Sequence, residues 1–148
     1  MVWPKRAKAT QGWRSQATLI KPKKRIQWEQ MCQMQCVAWF KFTYPQHRKP
    51  FYHIPNEGLR PVWVGRKLNA MGMKTGMLDI HLDVPSTAKN GKLYYGLRIE
   101  MKPAKKDCPS KVTPEQRETI QVMNDNGYFA CVCYGYDEFK DVIQWYLP

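Results

Sequence analysis

The stretch Tyr94-Tyr95-Gly96-Leu97-Arg98-Ile99-Glu100-Met101-Lys102 decides how the chain folds. Read as an extended strand, it alternates between two faces. Tyr95, Leu97, Ile99 and Met101 form an apolar face, and Arg98, Glu100 and Lys102 form a charged one. The apolar face predicts a place in the core. The charged face ends in a carboxylate and an ammonium two residues apart, aimed at the same space. Upstream, residues 77–84 read as a second strand, with Leu78, Ile80 and Leu82 inward and Asp79 outward. Between them, Asn90-Gly91 in the loop 86–92 is a strong hairpin-turn signal, so the two strands are expected to be antiparallel neighbours.

Toward the N-terminus the pattern turns helical. From Ile26, the residues Trp28, Met31, Cys32, Gln35, Cys36, Trp39 and Phe40 recur at spacings of three and four, which predicts one buried stripe. Glu29 lies at the border of that stripe, where a carboxylate can reach a site over the sheet. Tyr44-Pro45 closes the helix. Residues 51–54 read as a short strand, stopped by Pro55 and the turn residues Asn56-Glu57-Gly58. Residues 66–71 suggest a short helix and 72–76 a loop, with Gly76 placed to allow close backbone approach just before the Asp79 strand.

Toward the C-terminus, Thr113-Pro114-Glu115-Gln116 is a helix start: Thr as N-cap, Pro in the first turn, Gln at the third position. That helix is expected to run to about Asn126, with Gly127 as its C′ residue. Residues 128–134 are apolar on both faces and read as a central strand, reached by a helical crossover and therefore parallel to its neighbour. Phe139, Val142, Ile143, Tyr146 and Leu147 outline an amphipathic closing helix with Asp137 near its start. The order α-β-β-β-α-β-α predicts an α/β fold: a small mixed sheet, antiparallel through its first three strands, with helices on both faces.

At 148 residues the chain is long enough for one domain with a real core, and 43% hydrophobic residues exclude general disorder. No apolar run approaches the ~20 residues of a membrane span, and the basic N-terminus has no apolar signal core. A formal charge of +12 points to a polyanionic partner, since Lys and Arg displace the counterions condensed on a phosphate backbone. Residues 1–25 carry eight of the basic side chains and no acid, and read as a basic arm interrupted by Trp3 and Trp13, ahead of a domain at 26–148. The five cysteines, an odd number set within apparent helix and strand, suit reduced thiols and a cytoplasmic setting. Neither Cys32-x3-Cys36 nor Cys131-x-Cys133 has zinc-knuckle spacing, and His47, His53 and His81 lack the spacing of a His-Asn-His site. His81 is expected to be a hydrogen-bonded structural residue.

Hydrolysis of a phosphodiester needs a positioned water, charge stabilisation at the phosphoryl oxygens and help for the leaving oxygen. Mg²⁺ takes oxygen ligands and keeps several waters, so two carboxylates and a carbonyl suffice to hold it. Asp79 and Glu100 supply the carboxylates and Met101 its backbone carbonyl. Lys102 then stands where it can orient water and offset developing charge. By itself a Glu-x-Lys pair is ordinarily a solvated ion pair worth under ~1 kcal/mol; Asp79, Gln116 and Glu29 give it chemical company. Gln116 has a competing use as the capping-box partner of Thr113. The DNA backbone would be gripped by Lys23, Lys24 and Arg25 of the arm and by Lys74, Lys105, Lys106, Lys111 and Arg117.

Together, Gly72-x3-Gly76-x2-Asp79, Glu100-Met101-Lys102 and Thr113-Pro114-Glu115-Gln116 resemble the VRR-NUC branch of the PD-(D/E)XK nuclease superfamily, over residues 26–147. His53-Ile54-Pro55-Asn56-Glu57-Gly58 and the closing strand and helix are similar to it as well. One departure is Leu78-Asp79 where the family has Pro-Asp, a change a strand tolerates. The resemblance implies a Mg²⁺- or Mn²⁺-dependent, structure-selective deoxyribonuclease. In it Asp79 and Glu100 bind metal, Lys102 is catalytic, Gln116 assists and Glu29 is the first-helix acid. It also implies the stand-alone phage or bacterial type, a homodimer that cuts branched DNA such as Holliday junctions, acting in a bacterial or phage-infected cell. A nuclease of flaps or single strands, and a non-catalytic basic DNA-binding protein, remain the alternatives.

Overall fold

The computed structural model describes residues 24–55, 61–104 and 110–148, with side chains from residue 28 onward. The basic arm up to Lys23, the turn residues Asn56, Glu57 and Gly58, and the loop lysines Lys105 and Lys106 lie outside the described residues, as do the side chains of Lys24 and Arg25. Helix α1 spans Lys24–Thr43 and is followed by a short 3-10 turn at Pro45–His47. Then come β1 (Phe51–His53), α2 (Val62–Ala70), β2 (Ile80–Leu82), β3 (Ser86–Thr87), β4 (Leu93–Tyr94) and β5 (Leu97–Lys102). The chain closes with α3 (Pro114–Asp125), β6 (Phe129–Tyr134) and α4 (Gly135–Tyr146).

The main sheet has the order β1-β2-β5-β6, antiparallel from β1 to β5 and parallel between β5 and β6. Its elements follow the expected α-β-β-β-α-β-α sequence, to which α2 and a small β3–β4 ribbon are added. One face, carrying Ile80, Leu82, Leu97, Ile99, Met101 and Cys133, is covered by Cys36 and Phe40 of α1 and by Phe139, Ile143 and Tyr146 of α4. Phe40 stacks on Phe51 with ring centroids 3.9 Å apart, which fixes α1 against the first strand. Helix α3 packs against β5 and β6. All six residues of β5 are buried, charged ones included, and this is what puts Arg98, Glu100 and Lys102 under electrostatic stress.

Several local expectations give way to tertiary context. Tyr95 does not join the core. The strand breaks at Gly96, where an added Cβ would lie 3.0 Å from the Leu82 carbonyl oxygen, and Tyr95 is left 60% exposed while Tyr94 is buried in its place. Asn90-Gly91 does make a turn, with Gly91 at φ +77°, but it joins β3 to β4, and the pairing of β2 with β5 is made beyond that ribbon. Strand β6 is parallel to β5 as expected but stands at the sheet edge among the described residues; its apolar character reflects helices on either side. The α1 stripe is buried only in its second half: Trp28, Met31 and Gln35 are exposed, because the sheet reaches only the later turns. Helix α2 begins at Val62, just after Pro61, rather than at residue 66. The strand foreseen over 77–84 shrinks to three residues, and Leu147 lies just past the end of α4.

Candidate active site

The site lies where β5 and β6 end and β2 begins. Ile80 pairs with Ile99, so beyond that point Glu100, Met101 and Lys102 have no partner on β2. The Asp79 carboxylate takes over: its Oδ2 accepts the Met101 N–H at 2.8 Å, giving a donor at the strand margin the acceptor it would otherwise lack. The Asp79 carbonyl is held from the other side by the Ile54 N–H at 2.9 Å, with His53 Nδ1 at 2.8 Å. Asp79 is thus clamped at both ends by neighbouring strands, its carboxylate directed at the end of β5.

Glu100 is 2% exposed. Its Oε1 receives the Lys102 ammonium at 2.6 Å and the Gln116 amide Nε2 at 2.5 Å. Its Oε2 is buried with no partner among the described residues. Burial, reinforced by the nearby Asp79 charge, pushes the Glu100 carboxyl up to about 7; Lys102 pulls the other way, and Glu29 adds to the rise. A half-satisfied buried carboxylate costs stability and calls for a positively charged or donating partner on its free oxygen.

Gln116 makes the capping box and reaches Glu100 with the same amide. Its Oε1 accepts the Thr113 N–H at 2.9 Å, completing a capping box in which Thr113 Oγ1 accepts the Gln116 N–H at 3.2 Å. Its Nε2 donates to Glu100 at the same time. The two ends of one amide therefore tie the start of α3 to the end of β5. Gly76 allows the approach of this helix: at φ +74°, it faces Glu115 so closely that an added Cβ would sit 2.7 Å from the Glu115 Cβ.

Two clefts flank Asp79. One, of about 400 Å³, is lined by Thr75, Gly76, Met77, Thr113, Glu115 and Gln116. The other, of about 240 Å³, is lined by Glu29, Gln30, Gln33, His53 and Pro55. The structure thus brings together Asp79, Glu100, the Met101 backbone, Lys102 and Gln116, with Glu29 facing Asp79 across the second cleft. Among the described residues no group of three His, Cys, Asp or Glu side chains closes into a ready metal cage. The oxygen donors present are Asp79 and the free Oε2 of Glu100, a set that matches a hard cation keeping most of its water. For Met101, the contact seen is through its N–H rather than its carbonyl.

Lys74, Lys111 and Arg117 are exposed; Lys74 and Arg117 adjoin lining residues of the Gln116 cleft in the chain, and Lys111 lies two residues before Thr113. Gln33 and His53 line the second cleft without having been assigned a role from the sequence, although His53 opens the His53–Gly58 stretch that resembles the family. Gln33 follows Glu29 by one helical turn, which was a signal; for His53 the resemblance was the signal, and its place beside Asp79 follows from its pairing with Ile80 in the β1–β2 register. His81 points elsewhere. It sits opposite Arg98, near the Tyr52 ring, with Nε2 unpartnered, and burial and the Arg98 charge push its imidazole down to about 4. Arg98 is fixed by Asp83 at 2.7 Å and by the face of Tyr128, 4.5 Å from the ring centroid. The thiols of Cys36 and Cys133 are pushed up by the hydrogen bonds they donate to Cys32 and Cys131 and by burial, and none of the four is in a disulfide.

Comparison with known proteins bears on this arrangement. A solved structure described as a VRR_NUC domain protein is 30% identical to this chain, with a TM-score of 0.65, over 80% of this chain and 86% of that one. The chain belongs to the VRR-NUC family. No family model and no curated protein matches the sequence. The mixed sheet with flanking helices is the VRR-NUC fold, and membership places the chain among nucleases, hydrolases whose substrate is nucleic acid.

Proposed function

We propose that this VRR-NUC protein is a divalent-metal-dependent endonuclease of branched DNA, with Asp79, Glu100, Lys102 and Gln116 as its working residues. The observation that carries this reading is the buried Glu100, bridged to Lys102 and Gln116 through one oxygen while the other is left without a partner beside Asp79. A purely structural ion pair would satisfy both oxygens or stay in solvent.

Asp79 and Glu100 would hold Mg²⁺ or Mn²⁺, aided by the Met101 carbonyl and by Glu29 across the cleft. When bound, the cation would supply charge stabilisation at the phosphoryl oxygens and polarise water. Lys102, kept in place by Glu100, presents an ammonium to the attacked phosphate and offsets the charge that builds there. Gln116 retains a second amide N–H beyond the one given to Glu100, free to orient the attacking water or a phosphoryl oxygen. Water adds to phosphorus and gives up a proton, one ester P–O bond breaks, and the departing oxygen takes up a proton. Lys74, Lys111 and Arg117, with Lys105, Lys106 and the arm residues Lys23, Lys24 and Arg25, would grip the backbone on either side. Paired cuts at a junction need two such sites, hence a homodimer.

The test is a panel of junction, flap, single-stranded and duplex DNA incubated with Mg²⁺, Mn²⁺ or EDTA. Metal-dependent cutting, strongest on the junction, is expected. No cutting with either metal would leave a non-catalytic DNA-binding protein as the better reading, and preference for flaps or single strands would reassign the substrate.

A further inference from the structure

A third cleft at the same end of the sheet has no part in the chemistry above. Lys102 and Tyr134 are register partners on β5 and β6, and both strands stop there. Just beyond them, Pro103, Ala104, Tyr134, Tyr136 and Asp137 line a cavity of about 390 Å³ whose α1 wall is Trp28 with Met31, Cys32 and Gln35. Its size falls within the roughly 300–1,000 Å³ of small-molecule sites. The wall opposite α1 is firmly set. Gly135 turns the chain at φ +86° so close to Ala104 that an added Cβ would lie 3.0 Å from the Ala104 Cβ. Tyr136 is held edge-on against Trp39, with ring centroids 6.3 Å apart, and Lys140 lies 5.3 Å over its ring. Trp28, 41% exposed, directly precedes Glu29 of the site.

Aromatic walls and a carboxylate together select a class of ligand. Indole and phenol rings offer flat apolar faces, as base stacking requires. The Asp137 carboxylate repels a phosphate but accepts an N–H from an exocyclic base amine. Neighbouring strands lie about 4.8 Å apart, so Tyr134 is one strand spacing from Lys102. We propose that this cavity takes an unpaired nucleobase from the nucleotide flanking the scissile phosphate, stacked between Trp28 and Tyr136. The proposal rests on the nuclease reading of Asp79, Glu100 and Lys102. It accounts for choice of substrate, since a branch point or single strand can present an unpaired base at little cost while an intact duplex must unstack one.

The experiment uses the full chain, with Trp28→Ala and Trp28→Phe, on the best substrate of the panel. A single abasic nucleotide is placed in turn at each position around the mapped cut. In wild type, one flanking abasic position is expected to lower kcat/KM by about tenfold or more, in keeping with the worth of one stacked base. Trp28→Ala should show that loss on intact DNA and no further loss on the abasic substrate, and Trp28→Phe should restore most of it. In EDTA, 2-aminopurine at the same position should be quenched by wild type and not by Trp28→Ala. Wild type that cuts yet is indifferent to every abasic position, or equal abasic losses in wild type and Trp28→Ala, would overturn the base pocket and leave the nuclease reading intact. Trp28-dependent quenching without cutting would support the pocket and overturn the nuclease reading.

Discussion

Gln116 ties a helix cap to the buried carboxylate, and its two functions can be separated by substitution. Gln116→Ala removes the acceptor of the Thr113 N–H and the donor to Glu100 Oε1. Losing half a capping box costs about 0.5–1 kcal/mol, and losing a hydrogen bond to a buried ionisable group about 1.5 kcal/mol or more. The sum, about 2 kcal/mol, corresponds to a fall in Tm of roughly 4–8 °C for a chain of this size. Gln116→Glu keeps an acceptor for Thr113 and places a carboxylate where the helix dipole favours it, but sets it against Glu100. Glu100, already pushed up to about 7 and raised further by the new charge, can donate its own proton to that carboxylate while protonated and not once it ionises. Gln116→Glu should therefore sit within about 1 kcal/mol of wild type near pH 6 and fall well below it near pH 8.5. Thermal unfolding followed by circular dichroism at the two pH values measures this. A Gln116→Ala Tm equal to wild type, or a Gln116→Glu deficit independent of pH, would refute the coupling of cap and site.

Asp79→Asn should fold, since an amide oxygen still accepts the Met101 N–H, and removing its charge should lower the Glu100 carboxyl pKa toward its ordinary 4.5, as carboxylate NMR titration would record. Cation binding that needs ionised Glu100 must displace its proton below pH 7, so Mn²⁺ affinity should rise up to about tenfold per pH unit from 5.5 to 7 and then level off, with proton uptake by buffer seen in calorimetry. In the metal-free protein the raised Glu100 favours folding while it is protonated, and that contribution is lost as pH climbs from 4.5 through 7. The depressed His81 acts oppositely, adding stability as pH rises from about 4 to 6.5. The two offset each other between pH 4.5 and 6.5, and Glu100→Gln should expose the His81 slope in urea titrations. Gly76→Ala combines a positive φ with a 2.7 Å Cβ approach to Glu115, and should cost about 2 kcal/mol or more by chemical denaturation while pushing α3 off the site.

The parts of the fold set by local rules were legible from the residues alone. Thr113, Pro114 and Gln116 marked the start of α3, Gly127 its end, and the alternation Leu97, Ile99, Met101 marked the core face of β5. What escaped was whatever depends on how far another element reaches. Tyr95 fits the alternation, yet the chain must break at Gly96 to pass Leu82. Strand β6 is apolar on both faces, as a central strand would be, yet stands at the sheet edge among the described residues, because α3 and α4 both pack against it. For the site, residue types and order pointed to Asp79, Glu100, Lys102 and Gln116, and the structure gathers them. The place of His53 beside Asp79 depends on strand register, and the shared use of the Gln116 amide on the packing of α3 against the end of β5.

The most direct measurement compares wild type with Lys102→Ala on the preferred DNA, reading single-turnover cleavage in Mg²⁺ or Mn²⁺ and binding in EDTA. Lys102 is buried against Glu100 and meets only the attacked phosphate, so its loss leaves in place the exposed cations proposed to grip the rest of the backbone. Cleavage should fall on the order of 10²–10³-fold or more, the scale for removing one preorganised stabilising group, while the binding constant stays within about twofold of wild type. Cleavage by Lys102→Ala at the wild-type rate would contradict the assignment of the site.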